Sequence, residues 1–292
     1  MVAQEVKGIS ERITDIATDM KVKLAAQTNE LQELGTKLVA QVRGGRLTDL
    51  SLNMIEIIDR NLYERSCDVR WWATDSAVVD AAADPKDKMK TNYASKRLGV
   101  ILGAYTVYLD LWIADHNGVI VANGRPDQYR SVVGSNVSHE AWFRQAMATR
   151  DGNEFVVADV SVNDLLNKAP VATYAASIRE GGEANGSPIG ALGIFFDWGP
   201  QAQTVVKGVR LEDEEAERTR CLLIDAKHRI LASSDGRGVL TESFPLQTDG
   251  QQRGNYTDRE GNTIGFSLTP GYETYAGLGW YGVIVQGPKK KF

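Results

Sequence analysis

Ile9, Ile13, Ile16, Met20 and Leu24 are spaced by four, three, four and four residues, and Leu31, Leu34, Leu38 and Val42 resume the pattern after a polar interval. This stripe predicts an amphipathic helix with a narrow seam near heptad spacing. Gly44-Gly45 predicts its end. So thin a seam suits pairing with another helix, and the expectation is a homodimer through the N-terminal helices. A helix folded back on its own domain is the alternative. A second helical run starts at the capping residues Thr48-Asp49. It carries Leu52, Ile55, Ile58, Leu62, Val69, Trp72 and Val79 and is expected to reach about residue 83, where Asp84-Pro85 breaks it. At roughly 1.5 Å per residue it measures about 50 Å, enough to run beside two stacked domains. A third helix is expected over about residues 87–102.

From residue 107 the helical period gives way to alternation. VYLDLWIADHNGVIVANGR, VVGSNVSHEAWFRQAM, NEFVVADVSV, APVATYAASI and PIGALGIFFDW predict strand–turn–strand, a helix, then three strands. Asp115-His116-Asn117-Gly118 supplies the turn between the first two strands. Strict alternation puts Val107, Leu109, Leu111 and Ile113 on one face, to pack on a helix. It puts Tyr108, Asp110 and Trp112 on the other. Two aromatics with one carboxylate suit a small-molecule pocket; a solvated face is the alternative.

A short helix is expected over about residues 199–210, followed by the acidic run Glu212-Asp213-Glu214-Glu215 as a solvated loop or helix start. CLLIDAKHRILASSDGR then forms a second strand–turn–strand, and NTIGFSLTP and GWYGVIVQ predict two further strands. Ile113 to Ala122 aligns without gaps with Leu223 to Ala232, and a glycine-led apolar strand follows each block, at Gly190 and at Gly279. Two copies of one module follow from this order. The expected fold class is α+β, with two tandem modules of antiparallel sheet stacked along one long N-terminal helix. The expected divisions are residues 1–45 (amphipathic helix), 46–105 (long and connecting helices), 106–200 (first module) and 201–292 (second module).

Composition narrows the function. A net charge of −5 argues against a nucleic-acid surface. Cys67 and Cys221 are too few and too far apart for a disulfide framework or a zinc motif, and both are expected as buried thiols. HExxH, Walker, CxxC and GxSxG patterns are absent from the sequence. His116 and His228 fall in the two predicted turns, and His139 is the third histidine. Asp110 and Asp197 are the one carboxylate pair placed for acid–base work, with no nucleophile and oriented base beside them. No enzymatic activity, metal or cofactor is expected.

The order of these segments resembles the double Cache (dCache) sensor domains of bacterial chemoreceptors and sensor kinases, whose modules are PAS-like. The resemblance covers about residues 50–286. It rests on Leu111 to Ile120, Val133 to Ser138, Ala141 to Ala146, Pro170 to Ala176 and Ile189 to Ile194, in that order. It implies a sensor that binds a small ligand in the first module, between the sheet and a helix-and-loop lid around Trp142-Phe143. It also implies a signalling partner protein or a further signalling domain. The implied ligand-binding residues are Tyr108, Asp110, Trp112, His139, Glu140, Trp142, Phe143, Tyr174 and Asp197. Family members that bind amino acids carry an arginine two residues before the lid tryptophan and an aspartate late in the sheet. Asp197 supplies the second, but Glu140 holds the arginine's place, so the bidentate carboxylate grip is missing. Asp197 with aromatic rings instead suits a cationic or aromatic nitrogenous ligand. A ligand-free structural or dimerising module is the alternative; an enzyme using Asp110 and Asp197 is a weaker one. The sequence shows no leader and no run of about 18–20 apolar residues. That predicts a cytoplasmic location if the chain is complete, and a periplasmic one if it is a piece of a membrane receptor. Met1 and Lys289-Lys290-Lys291-Phe292 suit natural ends or the edges of such a piece.

Overall fold

One helix organises the chain. The computed structural model describes residues 2–288; Met1 and the Lys289-Lys290-Lys291-Phe292 tail lie outside them. Helix α1 (Val2–Trp72) is followed by α2 (Ser76–Ala83) and α3 (Lys88–Ala104). The expected stop at Gly44-Gly45 does not occur. A Cβ at Gly44 would run into the Asn255 side chain, so the glycine is a packing notch rather than a terminus. The contact offsets a helix penalty of about 1 kcal/mol for glycine. The second expected helix does not form one piece to residue 83 either. α1 stops at Trp72, and Asp75 accepts the Ala77 N–H at 2.9 Å to cap α2 as a separate helix. Asp87 caps α3 in the same way, through Met89 N–H at 2.8 Å.

The first module contains β1 (Tyr108–Asp115), β2 (Ile120–Asn123), α4 (Ala141–Met147), β3 (Val156–Asn163), β4 (Ala169–Arg179) and β5 (Pro188–Asp197). Helix α5 (Trp198–Lys207) and the short α6 (Asp213–Ala216) lead to the second module. That module comprises β6 (Thr219–Ile224), β7 (Ile230–Ser233), β8 (Arg253–Thr257), β9 (Thr263–Leu268) and β10 (Tyr281–Gln286). The two antiparallel sheets have matching orders, β2-β1-β5-β4-β3 and β7-β6-β10-β9-β8. Their hairpins match in detail. Asp115 accepts the Asn117 and Val119 N–H groups, and Asp225 accepts those of Lys227 and Arg229, each at 2.8–2.9 Å. The strand pairing shifts register at the equivalent step, Ile113/Ala114 and Leu223/Ile224.

α1 crosses the second module first. Arg43 donates to the Gln286 side chain and to the Gln286 and Gly287 carbonyls, Ser51 shares a hydrogen bond with Ser267, and buried Asp59 accepts from Thr269 and Gly271. Leu62, Val69 and Trp72 then reach the first module. A continuous apolar core joins α1, α2, α3 and one face of each sheet. Separate, smaller clusters fill the other two faces. The seam upstream of Arg43 has no such cover: Ile9, Ile13, Ile16, Met20, Leu24, Leu31, Leu34, Leu38 and Val42 are 58% to 69% exposed. Cys221 is buried, with its thiol pushed up to about 12 by desolvation, whereas Cys67 is only half-buried.

Candidate functional site

The first sheet's outer face is covered by a lid made of the 124–140 loop and α4. The loop is stitched to the β1–β2 hairpin: Ile120 N–H donates to Ser135 O, Gly134 N–H to Ile120 O, and Val137 N–H to Gly118 O at 2.7 Å. Gly118 has φ +80°, and a Cβ there would sit 2.7 Å from Ser138 N, so both backbone shape and the close pass of the lid require glycine. Under the lid, Trp112 lies 4.0 Å from Phe195 between ring centroids, and Trp142 meets the edge of Phe195 at 6.0 Å. Gly193 gives Trp142 room; a Cβ there would come within 3.1 Å of the indole.

Between lid and sheet is a cavity of about 330 Å3. Trp112 and Thr173 form its floor, Val137, Glu140, Ala141 and Trp142 its lid side, and Ala158, Ser161, Val162, Asn163, Asp164 and Leu165 its outer wall. The wall turns inward because Asn163 accepts the Leu165 N–H at 3.0 Å and Asn167 and Lys168 take positive φ. Glu140 and Asp164 are the charged residues of the lining, and both are carboxylates. A second cleft, of about 340 Å3, lies beside the end of α1 near Arg70, Trp71 and Arg179, away from the lid.

Of the nine residues expected at the site, Trp112, Glu140 and Trp142 line the cavity. Phe143 is buried in the lid's own cluster, and His139 is exposed beside Glu140 at 3.1 Å. Asp110 is on the lid face but fully engaged: it accepts from Leu111 N, Trp112 Nε1, Asn123 Nδ2, Gly124 N and Arg125 N at 2.8–3.0 Å. Burial raises its carboxyl pKa against the pull of those donors. Asp197, half-buried at the start of α5, makes no capping bond there. Its pKa is raised by burial and opposed by the charge of Arg125. It does not line the cavity.

Tyr108 and Tyr174 are on the opposite side of the sheet, in the core shared with α1. For Tyr108 the cause is a bulge: Tyr108 pairs with Phe196 but Asp110 pairs with Phe195, so the extra residue reverses the alternation. Leu109 moves to the lid side, and the Tyr108 hydroxyl donates to Asp68 of α1 at 2.5 Å. Tyr174 falls on the core face by the ordinary alternation of β4 and stacks on Phe155. Sequence reasoning missed Asp164 and the rest of the outer wall, which belongs to a strand end and turn. The polar cluster Asn163-Asp164 and the Asn167-Lys168 turn were the available signal.

A spine helix carrying two like-ordered five-stranded antiparallel sheets is the fold expected from the double Cache resemblance, and solved sensor domains share it. The chain is similar to the sensor domain of the V. cholerae histidine kinase DctB, with 13% identity, 87% of this chain and 99% of that one covered, and a TM-score of 0.60. It is also similar to the ligand-binding domain of the Pseudomonas aeruginosa PAO1 amino acid chemoreceptor PctC in complex with GABA (13%, 84% and 99%, 0.60). The same holds for that of PctB of the same organism in complex with L-Arg (17%, 84% and 96%, 0.59). No family model matches the chain, and no curated protein does.

Proposed function

We propose that this chain is a ligand-sensing unit for signal transduction and that its first module takes a small cationic or aromatic nitrogenous ligand in the lid cavity. The observation that carries this is the lining: two carboxylates, Glu140 and Asp164, beside the Trp112 and Trp142 rings, with no lysine or arginine among the lining residues. An ammonium or protonated ring is attracted by both elements, whereas a ligand recognised through its carboxylate lacks a cationic grip. The amine contact assigned to Asp197 passes in this proposal to Glu140 and Asp164. Asp110, with both oxygens engaged by N–H donors, is a structural acceptor rather than an acid–base group.

Thermal shift and calorimetry with putrescine, agmatine and histamine, against succinate and uncharged diols, test this. At least one amine is expected to raise the melting temperature by several degrees at a concentration about 100 times its Kd, the equivalent of about 2.7 kcal/mol. E140Q and D164N should each weaken that amine about tenfold, or about 1.4 kcal/mol. Stabilisation by succinate with no response to amines would overturn the assignment.

The exposed seam of α1 supports the other half of the proposal, a homodimer through the N-terminal helices. Sedimentation of the full chain is expected to show a dimer that L31K with L38K converts to a monomer without loss of helix content; a doubly substituted chain that still dimerises would remove the seam from the interface. Among the described residues no helix is long and apolar enough to cross a membrane. One similar structure is the extracellular domain of a putative histidine kinase. It supports an extracytoplasmic location for this sensor, and the likeness lends no support to a cytoplasmic one.

A further inference from the structure

The outer wall of the cavity is also the part of the first module that grips the second. β3 is an edge strand and carries a bulge: Ala158 pairs with Thr173 and Ser161 with Val171, so three steps on β3 span two on β4. Ala158 and Ser161, on either side of the bulge, line the cavity. The two residues between them bind the second module. Asp159 Oδ1 accepts the indole N–H of Trp280, just before β10, at 3.1 Å. The Val160 carbonyl accepts from Arg229 Nη2 at 2.8 Å, while the Val160 side chain is buried in the shared core. Arg229 is held in turn by Asp225 in the β6–β7 turn at 3.0 Å. The opposite tryptophan closes the loop: Trp198, the first residue of α5, donates its indole N–H to Leu231 O on β7 at 2.7 Å and meets Trp280 edge-on at 5.2 Å.

We infer that the β3 bulge is the coupling element between cavity and second module. Occupancy at Ala158 and Ser161 shifts the bulge, and the bulge moves Trp280 and the β6–β7 hairpin through Asp159 and Val160. An edge strand is fixed on one side only, and a bulge is the point in a ladder where backbone shifts with least loss of pairing. The wall of a cavity built there converts a small displacement into a change at a packed interface. Each module donates one indole N–H to the other, so the contact is directional and resists being replaced by simple sliding. This inference rests on the lid cavity being the ligand site.

The test attaches a probe covalently, so it does not depend on which ligand is natural. In a C67S background, the thiol introduced by S161C is labelled with 2-(trimethylammonio)ethyl methanethiosulfonate, and backbone hydrogen exchange is followed over the full chain. Labelling is expected to change exchange about threefold or more in residues 228–233 and 278–282 of the second module. Adding D159A together with R229A, which removes both the Asp159–Trp280 and the Val160–Arg229 bonds, should confine the change to the first module. Labelling that leaves the second module untouched, or a response that survives D159A combined with R229A, overturns the coupling. Amines that fail to bind while this response persists would instead sink the assignment of a cationic ligand.

Discussion

Asp110→Ala is expected to cost about 3–5 kcal/mol of folding stability, the range for removing one partner of a buried, charged network. The carboxylate is fully buried and takes five N–H groups. Alanine removes the acceptor of the Trp112 indole, the Asn123 amide and the Arg125 N–H at the root of the β1–β2 hairpin, where the lid loop departs, while the Gly124 N–H keeps its bond to Leu111 O. Asp110→Asn removes the charge but turns an amide NH2 toward some of those donors, so it too is expected to lose stability. Denaturant unfolding should show the midpoint falling with its slope unchanged, whereas Asp197→Ala, at a half-buried carboxylate without a capping bond, should stay within about 1 kcal/mol. The pH dependence has a definite sign. Burial raises the Asp110 pKa, so the folded state keeps its proton to higher pH than the unfolded state, whose carboxyl titrates near about 3.9. Stability from this group therefore falls as pH rises from about 4 through the raised value, and the alanine variant should lack that part of the slope. A variant as stable as the parent would mean that Asp110 does not hold the hairpin.

Gly265→Val is expected to destabilise the chain by about 3 kcal/mol, the upper part of the range for overpacking. A Cβ on Gly265 would lie 2.6 Å from both Leu47 Cβ and Thr48 N, against the backbone of α1 rather than a movable side chain end. Gly282, on the adjacent strand β10, has the same relation to the Ser51 carbonyl. These two glycines with Ser267, which bonds Ser51 and the Thr48 carbonyl, form a small-residue track that lets the helix rest directly on the second sheet. Valine at residue 265 forces helix and sheet apart along that track. The check is a lower melting temperature together with faster exchange in residues 44–58. Unchanged stability would show that α1 shifts at little cost.

Several features of this fold were readable from residues alone because they depend on local chemistry. Period-two alternation marked β1, apolar runs marked β4, β5 and β10, and the Asp115 and Asp225 turns marked both hairpins, since an aspartate that takes the N–H groups two and four residues on makes a turn wherever it sits. The gapless match of the two hairpins exposed the repeat. β8 escaped notice because it is an edge strand with alternate positions in solvent, so Arg253–Thr257 carries almost no apolar signal.

What the sequence by itself determined is the class of fold and the order of the modules, because these follow from periodicity and turn residues within short windows; the lid around Trp142-Phe143 was implied only by the family resemblance. The faces and the cavity wall were settled only in three dimensions. A one-residue bulge at Leu109, invisible to a pattern with period two, sent Tyr108 to α1. The pairing of Gly44 with Asn255 carried α1 through a stop signal, because a contact 211 residues away outweighs local propensity. Asp110 and Glu140 look alike as carboxylates in a chain. Five donors converging from β1 and from residues 123–125 make the first a brace, whereas the second lines the lid cavity beside His139.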